Sequence, residues 1–408
     1  MIESWFQEYV LLAFRIDKVL RIRAAQSPFV DYYYGPPAWK ALVEQEPVLQ
    51  AARLVRDADT LADTLALHSF HPHRKAYLMK QVQAMQIVCR KLAGETFSFV
   101  DEVQRCFDVV PTRTPEEHVE HAWTAVEEAL PGKGSLSERL SALRRRYLLA
   151  SEHSHLAAMF LQRALMEARR RAQSFLAFPA DEQVHVHTVT GQTWNANNRY
   201  LGAHQSLIEL NTNLPLNLRN LVETACHEGY PGHHTEFFLK EHLLYEGRGY
   251  AEHMIGFLIA PQALVSEGLA MLAREMIFSP EEQHQWLCQH IYPDAGVKPL
   301  EADGPAMYQV GPLWMAVRSN AAFLLGEGRS DEEVLGYVKR SLRLPDDYVA
   351  KELASLKRPF RETYAVTYQA GKQLLLPWVQ GPDRQAVFRR FLCEQIIPSE
   401  LVRSELIL

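Results

Sequence analysis

HEGYPGHH, residues 227–234, decides how the second half of this chain is read. The preceding stretch, NLRNLVETACHEGY (217–230), reads as a helix that carries His227 and Glu228 into an interruption. In the zinc-hydrolase pattern H-E-x-x-H the two histidines stand one turn apart on one helix face. Here the fifth position is Pro231, and histidine returns only at His233 and His234. On an unbroken helix His233 would lie about 240° round from His227, and His234 about 10.5 Å along the axis. Neither arrangement lets two rings reach one ion at about 2.0–2.1 Å. Pro231 offers no N–H to the carbonyl of residue 227 and its ring collides with that carbonyl, so the helix must open there. Gly232 tolerates the backbone angles of a re-entry. The expectation is a local bulge, a feature frequent at functional sites, that swings a later histidine beside the first. Spacing leaves both His233 and His234 open; His233 is favoured.

A catalytic zinc commonly takes two histidines and a carboxylate and keeps a position for water. SEGLAMLARE (266–275) offers Glu267 about forty residues downstream, enough chain to return antiparallel. Glu275, two turns further along that helix, is better placed to orient a ligand or to pack. Glu228, adjacent to His227, is the candidate general base that takes a proton from water. Zinc is the expected metal, although imidazole and carboxylate ligands accept other divalent ions. The chain holds 17 histidines, so pairs also arise by chance. His71/His73 and His153/His155 read as surface or packing residues. His185 and His187 share one strand face and are the main rival metal pair.

Around this motif the chain reads as mainly helical. TPEEH (114–118), SLSE (135–138), SPEEQ (279–283) and SDEEV (330–334) are helix starts, with Thr114 as a cap and Ser135 opening a capping box. Residues 136 to about 178 read as one long helix or two nearly continuous ones. The exception is 183–213, where QVHVHTVT and SLIELNTN alternate around a turn-rich segment. This predicts a small antiparallel sheet beside the metal helix. FLAFPADE (175–182) marks the boundary between a helical region, 1–178, and a metal-binding catalytic region, 179–408, the two forming one compact unit.

With 408 residues, 47% hydrophobic and 23% charged, the composition is that of a soluble globular protein. A net charge of -6 gives no reason to expect nucleic acid or an anionic membrane as partner. The arginine runs LRRRY (143–147) and EARRRAQ (167–173) read as solvated faces. Five scattered cysteines without a C-x-x-C pair argue for a reducing compartment and against thiolate metal binding. Cys226 reads as a packing residue. Ile2, Trp5, Tyr9, Leu12, Ile16 and Val19 recur at helical spacing, with Glu8, Arg15, Asp17 and Lys18 between them. Lacking a signal-peptide pattern and any run long enough for a membrane span, the chain is expected to be cytoplasmic.

HEGYPGHH and SEGLAM together resemble the H-E-x-x-P-G-H and E-G-x-A elements of the bacterial domain-of-unknown-function 885 family. FVDYYYGPPAW (29–39) is similar to that family's D-x-Y-x-G-P phrase. AMYQVGPLW (306–314) and TYAVTYQAGKQLL (363–375) resemble its tyrosine–glycine segment, and FRRFLCEQIIPSELV (388–402) its closing motif. The resemblance spans most of the chain and implies a mainly helical, zincin-like metallohydrolase. It implies His227, His233 and Glu267 as ligands and Glu228 as base. Leu269 departs from it, standing where members tend to have an aromatic residue.

Amide hydrolysis also needs a donor facing the developing oxyanion. Tyr308 and Tyr368 are the candidates, each followed three residues later by a glycine that permits close backbone approach. Arg361 and Lys372 flank Tyr368 and are candidates to meet a substrate carboxylate. Asn211 and Asn213 lie on one face of a strand whose edge an extended peptide could join, and are candidate substrate contacts. The reading is a metal-dependent hydrolase of a peptide or small amide substrate. Its alternatives are hydrolysis of a non-peptide amide or ester, and a non-catalytic protein in which metal staples two helices.

Overall fold

The computed structural model describes residues 2–24, 29–192, 194–300, 310–342 and 346–405. Its first helix, α1 (Ile2–Ala24), buries Trp5, Tyr9, Leu12, Ile16 and Val19 as their spacing predicts. It also buries Phe6, Val10, Leu11 and Phe14, so apolar contacts wrap most of its circumference. Asp17 and Lys18 are buried as well. Each is matched to backbone: Asp17 Oδ1 accepts from the amides of Phe29 (2.5 Å) and Val30 (3.2 Å), and Lys18 Nζ donates to three carbonyls at 2.6–2.9 Å. Charges buried this way satisfy the requirement for compensating hydrogen bonds. Asp17 thereby fixes the start of β1 (Val30–Tyr33).

The helices α2 (Pro37–Gln45), α3 (Ala51–Leu65), α4 (Pro72–Leu92), α5 (Phe99–Phe107), α6 (Glu116–Ala129), α7 (Leu136–Arg146) and α8 (Ala157–Ala172) follow. Ser135 opens α7 with a complete capping box, while Thr114 gives α6 no side-chain cap, because Pro115 takes the cap position. The stretch from residue 136 is two helices, separated where Leu148 bridges Asn217. The chain then forms β2 (Gln183–Val189), β3 (Ala196–Gly202) and β4 (Gln205–Asn211). Next come α9 (Leu221–Glu228), α10 (His233–Lys240), β5 (Ile255–Phe257), α11 (Pro261–Ile277), α12 (Pro280–His290), α13 (Val310–Gly326), α14 (Asp331–Leu342), α15 (Asp346–Leu356), α16 (Arg361–Leu375), α17 (Arg384–Cys393) and α18 (Pro398–Glu405). Ser279 and Ser330 both make the reciprocal N-cap bonds expected of them. The fold is mainly α with two small sheets.

The expected sheet is present, but its topology is mixed. Strand β4 lies in the centre, parallel to β2 from Gln183↔Gln205 to Val189↔Asn211 and antiparallel to β3. The alternation of 183–189 and 206–211 sets which faces pair with the core but not the order of strands. The chain leaves β2, passes the end of β4, runs back as β3 and re-enters β4 through a tight turn. Asn211 and Asn213 hold that passage. Asn211 Nδ2 donates to the carbonyls of Gln192 and Trp194, both at 2.9 Å, and Asn213 Oδ1 accepts from the Gly191 amide. They are fasteners of the connection rather than substrate contacts. Nor does β4 offer an edge to an extended peptide, since both its edges are paired. The second sheet pairs β1 with β5, Val30↔Phe257 and Tyr33↔Ile255, and so sets Asp31 beside the segment leading into α11.

Helices α11 and α16 touch backbone to backbone. A Cβ on Gly268 would fall 2.5 Å from the carbonyl carbon of Gly371, and one on Gly371 would fall 2.3 Å from the Leu264 carbonyl oxygen. Only glycine permits such an approach, and it brings the face of α16 carrying Tyr364 and Tyr368 against Glu267.

Candidate metal centre

The interruption in HEGYPGHH is a full break, not a bulge within one helix. α9 ends at Glu228, a cis Tyr230–Pro231 peptide follows, and α10 starts afresh at His233. Gly232 has φ of -86° and ψ of -136°, and it also contributes space. A Cβ there would stand 2.0 Å from the His227 carbonyl oxygen, the group that Pro231 cannot serve. The break is fastened by Asn198 of β3, whose Nδ2 donates to the Glu228 carbonyl at 2.5 Å, and by Thr235, whose amide and hydroxyl both donate to the Gly229 carbonyl.

This turn carries His233 back to His227. Their ring centroids are 4.7 Å apart at 90°. Glu267 completes the group from α11: its Oε2 lies 3.5 Å from His227 Nε2 and 3.8 Å from His233 Nε2. The three ligand atoms fall within 4.8 Å of one another. His234 points elsewhere. It is fully buried, with Nδ1 at 2.8 Å from Ser206 Oγ and Nε2 at 2.7 Å from Glu182 Oε1. Burial, outweighing the pull of Glu182, holds its pKa below the usual histidine range.

Two partners that sequence reasoning missed orient the candidate ligands. Ser266 Oγ sits 3.0 Å from His233 Nδ1, leaving Nε2 to face Glu267. Tyr364 donates its hydroxyl to Glu267 Oε1. Outer partners of this kind fix ring orientation and carboxylate geometry at metal sites. Tyr364 shares a helix face with Tyr368, and only its tertiary contact with Glu267 marks it out. Ser266, the residue before Glu267, carries no signal of its own. With Oε1 taken, Glu267 Oε2 is left buried without a hydrogen-bond donor. An orphaned buried carboxylate oxygen, with two imidazole Nε2 atoms aimed at it, fits a divalent cation with a His, His, Glu ligand set.

Charge around the group points the same way. Burial works against a charged His227, yet the facing Glu267, with Glu228 and Glu223, outweighs it and raises the imidazole to about 9. Asp31 is a third missed residue. Burial first, then the charges of Glu267, Glu228 and Glu236, raise its carboxyl to about 7. Its signal was the V-D-Y-Y phrase, to which no role was given. Three carboxyls around two imidazoles form an excess of negative charge that a dication would offset.

The other candidates divide. Tyr368 comes to the group, its ring centroid 6.4 Å from His227 and 5.7 Å from Tyr364. Arg361 lies over the Tyr364 ring at 5.7 Å, on the same side of α16. Lys372 does not come to the group: its Nζ is bound 2.8 Å from Glu275 Oε1, two turns along α11 from Glu267. Tyr308 lies outside the described residues. His185 and His187 are exposed on β2, and among the described residues they join no cluster of ligand atoms. Cys226 is buried, and burial pushes its thiol far above the usual range, as suits packing. The second arginine run is not all solvated, since Arg169 Nε donates at 2.9 Å to Glu182, whose side chain is fully buried and also accepts from Tyr230.

No protein-family model matches the sequence, and no curated protein is significantly similar to it. Solved structures are similar in fold. One is described as "the putative lipoprotein from Colwellia psychrerythraea", at 15% identity and a TM-score of 0.53 over 88% of this chain and 70% of that one. Another is described as "a putative lipoprotein of unknown function from Shewanella oneidensis", at 12% identity and a TM-score of 0.49 over 91% and 76%. The description of the Colwellia protein speaks against the cytoplasmic expectation, which rested on the lack of a signal-peptide pattern and of an apolar span. No helix among the described residues is long and apolar enough to cross a membrane. A protein held by a lipid needs none, because the attached acyl chains are the anchor.

Proposed function

We propose that this protein is a metal-dependent hydrolase of peptide or related amide bonds, a member of the domain-of-unknown-function 885 family to which its motifs are similar. The observation that carries the reading is the convergence of His227, His233 and the donorless Oε2 of Glu267. These three would hold a zinc ion. Bound there, zinc supplies a Lewis acid that polarises a carbonyl and lowers the pKa of water. Glu228, which follows His227 at the end of α9, takes the proton from the attacking water and returns it to the leaving amine. Tyr368, whose hydroxyl burial keeps protonated far above its ordinary range, donates a hydrogen bond to the developing oxyanion. Tyr364 and Ser266 keep Glu267 and His233 oriented throughout. By analogy with the Colwellia lipoprotein of similar fold, we place the protein at a membrane-anchored or exported location.

The test is a digest of a diverse peptide library by the zinc-loaded protein, read by mass spectrometry. The proposal requires new termini that vanish after chelation and return when zinc is restored. An intact library under conditions where zinc is bound would reject it.

A further inference from the structure

A second group of ligand-type side chains lies beyond the far end of α10. His204 sits in the two-residue turn between β3 and β4, with φ of 52° at Ala203 and 59° at His204. Turns of this shape favour Asn-Gly, yet here both central residues carry a Cβ and one an imidazole. Glu241 pins the turn, accepting from the amides of Ala203 (3.0 Å) and His204 (3.4 Å) and from the Tyr200 hydroxyl. So held, the His204 side chain is buried, 10% exposed, and neither ring nitrogen has a hydrogen-bond partner. Uncompensated burial of two polar atoms is costly and in native structures asks for a missing partner.

That ring faces the wide π-helical turn that continues α10, residues Glu241–Glu246. Its centroid is 5.5 Å from the ring of His242, and its Nε2 is 3.9 Å from Glu246 Oε2. His242 Nδ1 lies 3.2 Å from the same Glu246 oxygen. The three ligand atoms of His204, His242 and Glu246 fall within 4.8 Å of one another. On the other side of the His204 ring, Nδ1 is 3.4 Å from Asp181 Oδ2. Asp181 is mostly exposed and makes no hydrogen bond to the ring, so it adds negative charge near the group without giving Nδ1 a partner.

We propose that His204, His242 and Glu246 form a second cation site, separate from the centre at His227 and independent of the hydrolase reading. Two imidazoles and one carboxylate select a divalent ion of intermediate softness such as zinc, nickel or cobalt rather than calcium or magnesium. His204 supplies the fixed ligand. His242 and Glu246, each about half exposed, close on the ion from the helix surface. An ion here ties the β3–β4 turn to the end of the helix run that begins at His233, roughly 13 Å further along the axis.

The experiment uses the full chain carrying His227→Ala, so that it reads this site alone whatever the first centre does. The stripped protein is equilibrated with zinc, freed of unbound metal by gel filtration, and assayed by elemental analysis and by the shift in its melting temperature. One zinc per chain is expected, falling to none when His242→Ala and Glu246→Gln are added, with the melting shift lost in parallel. Both added changes are at exposed positions, so the fold is retained, which circular dichroism checks. Absence of zinc in His227→Ala protein, or equal zinc with and without the two further changes, overturns the proposal.

Discussion

Gly268 and Gly371 stand at the point where α11 and α16 meet, so close that a Cβ on either would enter the other's backbone. Their contact sets the height of Tyr364 and Tyr368 above Glu267, and through Tyr364 the rotamer of the proposed third ligand. Packing and chemistry are coupled at this one contact.

Gly371→Ala should therefore do more than fill space. The new methyl would meet the Leu264 carbonyl oxygen at 2.3 Å, and backbone cannot move aside cheaply. Overpacking costs about 1–3 kcal/mol, and the upper end is expected, seen as a lower urea midpoint together with weaker zinc retention. Gly381→Ala, where nothing lies within 4 Å, is the control and should change stability by about 0.5 kcal/mol or less.

The two tyrosines should separate in function. Tyr364→Phe removes the donor to Glu267 Oε1 and should weaken zinc binding by about 10–100-fold. Tyr368→Phe should leave zinc affinity intact and lower kcat by about 10²–10³-fold, the usual effect of losing one oxyanion donor. Equal effects of both changes on zinc affinity would mean that Tyr368 supports the ligands instead.

Glu228→Gln preserves shape and removes the base. Zinc content and melting temperature should stay within error of the parent, while hydrolysis of any peptide found to be cut falls by about 10²–10⁴-fold. Undiminished turnover would assign the proton transfer to another group.

Much of this site was legible in the sequence, and the reasons are specific. Pro231 and Gly232 announced that the helix must open, and the distance between helical positions required it. The sequence could not say that the opening would be a complete break, because that depends on Asn198 and Thr235 seizing the freed carbonyls from elsewhere. The glycine after Tyr368 signalled a close approach, and Gly371 makes one. Tyr364, Ser266 and Asp31 were invisible as site residues because their roles come from tertiary neighbours rather than from spacing. Asn211, Asn213 and Lys372 misled for the same reason: each is already engaged by a loop or by Glu275. Alternation located the strands, while the order β2-β4-β3 rests on the path of the connection.

Acid should loosen the scaffold beneath the metal helix through Glu182. Burial alone would raise its pKa, but His234, Tyr230 and Arg169 together hold it below the ordinary value of 4.5. A carboxylate depressed in the folded state adds stability that is fully present above its unfolded pKa and lost as pH falls through the folded one. The urea midpoint should accordingly drop below about pH 4.5, and Glu182→Gln, less stable at neutral pH, should show a flatter acid limb. Parallel acid limbs would show that Glu182 does not carry this dependence.

The most direct measurement is anomalous diffraction at the zinc edge from crystals of the zinc-loaded protein. The account predicts a strong peak at bonding distance from His227 Nε2, His233 Nε2 and Glu267 Oε2, absent in His227→Ala crystals grown the same way. Zinc-loaded crystals with no peak among those three side chains would contradict it.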